Sequence, residues 1–368
     1  MPFGSDVTTI AFYLPQFHPT LENNQWWEPG FTEWTLTTRA RPLFRGHHQP
    51  RLPAGLGFYD LRLPEARDAQ GRLAAQYGVD AFCYWHYWFG GGVRFLSDVL
   101  DSVITTGSPS NRFCLGWANE DLTATWRGQP ESVLQQQSYP STDDDLMHFD
   151  AVEAAFHDPR YLRIDDKPLF YIYRPADHPD LGGFIDRWHN RAASSGLAGI
   201  YFVAETTDAS LGRLSSNLDA AVIVDWTRAF RASDRIWRPR RGPLREPYAR
   251  AAMRFPSVGA RGGRIVFPCV LTGWDNTPRH SRAGVVLTGR TPQLFADQVH
   301  TALGLVPDPP LLFIKSWNEW SEGNYLEPDD ENGTHYLDAL ASAFQDRRQF
   351  GVGPAAAIVL QGDSASLV

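Results

Sequence analysis

The chain has 368 residues, 43% of them hydrophobic, enough to bury a large core in one big domain or two ordinary ones. A formal net charge of -8 argues against an extended polyphosphate partner such as nucleic acid, which would need a basic footprint. Aromatic residues make up 13%, including 13 Trp, and so many indoles point to stacked ligands as well as core, with a glycan as the natural guest.

From Met1 to Thr9 no basic segment is followed by an apolar one, and no run of about 18 apolar residues occurs later, so a soluble, cytoplasmic protein that does not enter a membrane is expected. Eight short runs rich in β-branched and aromatic residues then follow, at 8–14, 79–85, 112–117, 168–173, 199–204, 220–225, 264–271 and 311–317. Helical spacing fills the intervals at 64–77, 93–105, 143–156, 181–195, 209–217, 291–303 and 335–345. Eight strands alternating with helices predict the α/β class and a single (β/α)8 TIM-type barrel. Continuous apolar runs such as Leu311-Leu312-Phe313-Ile314 suit strands buried on both faces. An open doubly wound sheet is the rival, weakened because Tyr13-Leu14-Pro15-Gln16 stands where a Gly-rich turn would follow the first strand.

Long connections at 15–63, 118–142 and 226–263 follow strands 1, 3 and 6, which in a barrel places them on the catalytic rim. The third carries Arg228, Arg231, Arg235, Arg238, Arg240, Arg241 and Arg245, read either as an attractor of an anionic group or as a solvated surface. The expected domain plan is a catalytic barrel over 1–350 and a tail over 351–368 rich in Ala and Ser. Cys83, Cys114 and Cys269 lie in apolar runs without metal or redox spacing and read as buried thiols.

The segment Ser316-Trp317-Asn318-Glu319-Trp320-Ser321-Glu322-Gly323 carries two carboxylates and two indoles directly after the last strand. Cleaving a glycosidic bond takes one carboxylic acid to protonate the leaving oxygen and a second carboxylate to manage charge or a proton on the ring, so Glu319 and Glu322 are the first candidates. The plainer reading has the acids facing water and Trp317 and Trp320 filling core. Other strand ends supply Tyr13 and His18; Trp85, His86 and Tyr87; Trp117, Asn119 and Glu120; Tyr173; Asp225; Trp274 and Asp275; and Asn318 with Trp320. Glu120 is a third catalytic candidate, and the rest are candidate sugar contacts. No metal site or cofactor is expected. Asp143-Asp144-Asp145 reads as a helix start, Asp165-Asp166 as a turn, and His47-His48 as loop surface without further ligands at metal spacing.

Four motifs in order then define a resemblance: Ala11-Phe12-Tyr13-Leu14-Pro15-Gln16-Phe17-His18, Gly30-Phe31-Thr32-Glu33-Trp34, Trp117-Ala118-Asn119-Glu120, and the segment from Ser316 to Pro328. From about Ile10 to Asp329 the chain resembles the glycoside hydrolase family 99-like group, and within it the WbsX-type proteins of bacterial O-antigen polysaccharide functions. The resemblance implies a (β/α)8 barrel that cleaves α-mannosidic linkages with retention. It implies that Glu319 deprotonates the sugar's own 2-hydroxyl to form a 1,2-anhydro intermediate, while Glu322 serves as general acid and then base. Ser321 departs from the His often found between those glutamates, and the aromatic cluster on strand two also differs, so mannose as the sugar is not implied. Two alternatives stay open within the barrel: Glu120 with Glu319 as a conventional retaining pair about 5 to 5.5 Å apart, and glycosyl transfer, the activity in the WbsX label. A non-catalytic carbohydrate-binding barrel is the third reading.

Overall fold

The computed structural model describes residues 7–124, 129–226, 242–256 and 263–350. Eight barrel strands appear in chain order: β1 (Thr8–Tyr13), β2 (Ala81–Trp88), β3 (Arg112–Trp117), β4 (Lys167–Ile172), β5 (Tyr201–Thr206), β6 (Ala220–Ile223), β7 in two pieces (Ile265–Phe267 and Cys269–Leu271) and β8 (Leu311–Lys315). All neighbouring pairs are parallel, and β1 sits between β8 and β2. The ring closes through β7. Its first piece registers with β6, Ala220 opposite Ile265, and its second with β8, Cys269 opposite Phe313. Pro268, which has no N–H to give the ladder, divides the two pieces while its carbonyl accepts from Phe313 N–H at 3.0 Å. The result is the (β/α)8 barrel expected from the strand count.

Outside the ring lie α1 (Pro64–Gln76), α2 (Ser97–Thr106), α3 (Thr142–His157), α4 (Leu181–Ser194), α5 (Tyr248–Arg254), α6 (Pro292–Leu303) and α7 (His335–Phe350). Their starts follow local chemistry. Ser141, Asp180 and Thr291 each accept a backbone N–H of the first turn, and Asp143, Asp144 and Asp145 place negative charge at the positive end of α3. The expected helix over 209–217 is instead a single tight turn, Leu211–Arg213. Its serines, Asn217 and Asp208 favour side-chain-to-backbone turns over a continued helix, as Asn217 N–H to Ser215 Oγ at 3.3 Å shows. Helix α2 starts at Ser97 rather than near 93, because Arg94–Phe95 folds back antiparallel onto Tyr87 and Trp88.

Strand alternation sorts the side chains. Phe12, Tyr171 and Phe313 plug the barrel interior, with Phe12 4.9 Å from Tyr171 and 5.8 Å from Phe313 between ring centroids. Their neighbours along the chain point outwards under the helices, where Trp188, Phe156 and Phe202 are fully buried. Cys83, Cys114 and Cys269 are buried free thiols, as expected. Among the described residues no helix is long and apolar enough to cross a membrane. The arginines at 228, 231, 235, 238, 240 and 241 and the tail at 351–368 lie outside the described residues. Arg245 is described, and its guanidinium lies 4.9 Å over the Phe44 ring.

Candidate active site

A cavity of about 280 Å³ opens at the C-terminal end of the barrel strands, at the lower end of the usual size for a small-ligand site. Glu319 and Glu322 both line it, together with Glu120, Trp85, Tyr87, Tyr173 and Trp274 from the sequence reading. Gln16, Asp121, Thr123, Trp226, Arg279, His280, Lys315 and Ser316 complete its polar and indole lining.

The loop after β8 presents the two glutamates through a short folded turn. Asn318–Glu319 pairs antiparallel with Asn324–Tyr325, and a tight turn over Trp320–Glu322 reverses the chain between them. Gly323 closes that turn at φ 58, and a Cβ there would fall 2.8 Å from the Asp275 side chain, so glycine is required on both counts. Asn318 does not face the cavity. Its amide oxygen accepts from Leu14 N–H at 2.8 Å and its amide nitrogen donates to Leu14 O at 3.0 Å, which pins this loop to the end of β1.

Arg279 joins the acids. On the short helix Thr277–His280 that follows β7, it donates to Glu322 at 2.6 Å, to Glu319 at 3.3 Å and to Glu33 at 3.3 Å. Glu33 is fully buried and reaches this point from the helix Glu33–Arg39, whose start is fixed by a reciprocal cap between Thr32 and Thr35. Burial, and next the neighbouring Glu322 carboxylate, push Glu319 up to about 8 in spite of Arg279. Burial also pulls Arg279 towards neutrality, but Glu33, Glu322 and Glu319 together hold it above the ordinary arginine range. Glu120 stands across the cavity with 42% of its side chain exposed and accepts from Arg174 Nε at 2.9 Å. Desolvation raises it above the usual carboxylate range, against the pull of Arg174, though solvent screens so open a group.

Several residues selected from sequence do not reach the cavity lining. His86 and Trp88 occupy the outward face of β2, where His86 Nε2 meets His148 Nε2 at 2.8 Å and Trp88 stacks on the same imidazole. Reading Trp85-His86-Tyr87 as one wall overlooked the strand's period of two, which sends alternate side chains to opposite faces. By the same rule Tyr13 points out and donates to Gln70 at 2.7 Å, and Trp117 donates to Trp88 O at 3.0 Å. Asn119 fastens the β4 loop, donating to Arg174 O at 2.8 Å and accepting from its N–H at 2.7 Å. Asp225 accepts from Asp208 N–H at 3.3 Å, and His18 is buried in the first long loop.

The two indoles of the strand-8 segment are core. Trp317 packs on Phe82, and Trp320 stacks on Tyr325 while donating to buried Glu327 at 2.7 Å. The indoles that do line the cavity are Trp85, Trp226 and Trp274. Asp275 is buried beside the site, held by His47 at 2.8 Å, Gln49 at 2.7 Å and Thr277 Oγ1 at 2.6 Å. His47 is therefore buried structure rather than loop surface; His48 stays at the surface near Asp330. Ser321 also lies off the cavity, 3.1 Å from Thr37 Oγ1, so its departure from His alters a loop contact instead of the lining.

Arg279 and Lys315 were not singled out from sequence. Lys315 was legible in principle, as the last inward position of β8 two residues beyond inward-facing Phe313. Arg279 had no such signal, since only the fold of the β7 loop brings it to the glutamates.

The model of the family described as Glycosyltransferase WbsX matches residues 9–340. This chain belongs to the WbsX family. Two relatives named WxcX, from Xanthomonas campestris pv. campestris strains B100 and ATCC 33913, are each 37% identical over 352 residues. The alignment covers 93% of this chain and 50% of theirs, so the chain spans about half the length of the curated relatives it matches. Among solved structures, a glycoside hydrolase-like protein aligns with TM-score 0.64 at 13% identity, covering 93% of this WbsX-family chain and 95% of the other. The GH99 endo-alpha-mannosidase from Bacteroides thetaiotaomicron aligns with TM-score 0.57 at 18% identity, covering 93% and 97%. Both share its barrel fold.

Proposed function

We propose that this WbsX-family protein is a retaining glycoside hydrolase acting on a bacterial polysaccharide or oligosaccharide, with Glu319 and Glu322 as its catalytic pair. One observation carries this reading: both carboxylates of the strand-8 loop face one aromatic-walled cavity, bridged by Arg279. Trp85, Tyr87, Tyr173, Trp226 and Trp274 offer faces for the apolar side of sugar rings. Two acids on a single loop suit a route in which one activates the sugar's own 2-hydroxyl and the other serves the leaving oxygen, because neither has to attack from the opposite ring face.

The family resemblance assigns the leaving-group proton to Glu322. The free site favours the reverse order, with Glu319 as acid and Glu322 as base, since burial keeps a proton on Glu319 up to about pH 8 and the shorter Arg279 contact falls on Glu322. Substrates with good and poor leaving groups separate the orders: replacing the true acid with Gln costs little on an activated aryl glycoside and much on a natural linkage. The conventional pair of Glu120 with Glu319 predicts continued turnover of a substrate lacking the 2-hydroxyl, which the anhydro route forbids.

Glycosyl transfer, the activity in the family description, is less well served. Even with Glu319 protonated, Glu120, Asp121 and Glu322 outnumber Arg279 and Lys315 around the cavity, an unfavourable field for a sugar-nucleotide diphosphate. Incubation with a panel of bacterial polysaccharides and oligosaccharides, with product analysis, tests the hydrolase directly. Thermal shifts with sugar nucleotides, with and without divalent cations, test the transferase. Stabilisation by a nucleotide with no product from any glycan would overturn the hydrolase reading.

A further inference from the structure

The chain contains two lysines, Lys167 and Lys315, against 32 arginines. One of the two, Lys315, ends β8 with its ammonium in the cavity, 8% exposed as a residue. Around its nitrogen stand the rings of Phe12 at 5.4 Å, Tyr173 at 5.5 Å and Trp85 at 5.9 Å. Among the described residues its hydrogen-bond partner is Glu205 Oε2 at 3.3 Å, an atom that also accepts from Tyr171 O–H at 2.7 Å. An ammonium carries three N–H donors, so two remain for whatever enters between the rings. Glu205 in turn lines an adjoining hollow of about 450 Å³ that shares Tyr173 and Trp226 with the main cavity. The pair therefore sits on the seam between two spaces with a common aromatic wall.

The charge pattern decides what such a seam recognises. Arg279 is engaged by Glu322, Glu319 and Glu33, and Lys315 by Glu205. Each cation already faces a carboxylate, and an anionic ligand would bring a further negative charge next to them. A vicinal diol suits the seam better, because one hydroxyl accepts from the ammonium while the next donates to the carboxylate, and the pair keeps its neutrality. We infer that Lys315 and Glu205 together hold a vicinal diol of a neutral sugar ring at the floor of the cleft, and that they select against uronic acids and other anionic sugars. This deepens the glycan-site reading by naming the class of sugar. Burial pulls the Lys315 ammonium towards neutrality, but Glu205, Cys269 and Glu322 hold it above the ordinary lysine range, so the donor is charged throughout the physiological range.

Because the chain has two lysines, protein labelled with carbon-13 lysine gives two side-chain Cε signals, assigned with Lys167→Arg. Wild-type protein is titrated with methyl α-mannoside, methyl α-glucoside and glucuronate, up to about 100 mM to reach weak monosaccharide affinities. The expected result is a saturable shift of the Lys315 signal with at least one neutral glycoside, an unmoved Lys167 signal, and about tenfold weaker binding of glucuronate. An unmoved Lys315 signal with every probe, or tighter binding of glucuronate, overturns the inference. Lys315→Met lowers affinity for the neutral glycoside by about ten- to a hundredfold, as for a lost charged hydrogen bond. Lys315→Met with Glu205→Gln removes both charges together, so the fold is not left with one unpaired. Diol binding at Lys315 without hydrolysis of any glycan would leave this inference standing and remove the hydrolase; hydrolysis with a silent Lys315 would do the opposite.

Discussion

Asp275 and the proposed catalytic pair are neighbours, joined by a hydrogen bond from Asp275 N–H to the Glu322 carbonyl at 2.5 Å, yet their electrostatics are opposite. Asp275 is surrounded by His47, Gln49, Arg51 and Thr277. Burial by itself would raise it, but the His47 hydrogen bond, Arg51 and Thr277 hold it at about 2. Glu319, also buried but lining the cavity, shares one guanidinium with two other carboxylates and is pushed up to about 8. Asp275, given a full set of donors, fastens loops; Glu319, made to share its cation, keeps a proton available. The contrast separates structure from chemistry within one rim of the barrel.

The comparison breaks most visibly in activity. Glu322→Gln and Glu319→Gln each lower kcat by about a hundredfold or more, as for loss of acid or base assistance, with melting temperatures close to wild type. Normal turnover by both would sink the proposed pair. Asp275→Ala is the converse experiment: it leaves His47 and Arg51 facing an empty position and costs about 3–5 kcal/mol of stability in denaturant unfolding, the range for breaking a buried ion pair.

The next effect is on pH. Asp275 is depressed below its ordinary value of 3.8, so its stabilisation is complete above that value and is lost as pH falls through about 2. Glu319 is raised from 4.5 to about 8, so the native state holds a proton that the unfolded chain has released, and this group makes stability fall as pH rises across that window. Unfolding free energies measured from pH 5 to 8 therefore decline less steeply in Glu319→Gln than in wild type, and the alkaline limb of the wild-type rate profile lies near 8. The smallest effect separates the indoles. Trp274→Ala raises KM by about tenfold through loss of a stacking face, whereas Trp317→Phe leaves KM unchanged and lowers only the melting temperature, because Trp317 packs on Phe82 in the core.

Much of the fold was legible because the barrel strands are short and apolar and, except between β5 and β6, separated by helices, several of which carry their own start signal. The register of inward and outward residues was also written in the chain, but reading Trp85, His86 and Tyr87 as one surface obscured it. The split of β7 at Pro268 follows from proline's missing N–H, whereas its closure of the ring depends on β6 and β8 lying to either side. For the site, the last strand gave away Glu319 and Glu322 through position alone. Arg279 was out of reach, since it lies 40 residues from Glu319 and 246 from Glu33 along the chain.

The amino-acid sequence by itself determined the alternation of strands and helices and the placement of two acids after the final strand, because periodicity and capping are local properties. Only the tertiary structure decided which acids share a cation and which are fully partnered, which indoles face the cleft, and that one of two lysines ends on its floor. Those outcomes depend on distances between loops remote in sequence, and electrostatic coupling and desolvation are set by such distances rather than by neighbours along the chain.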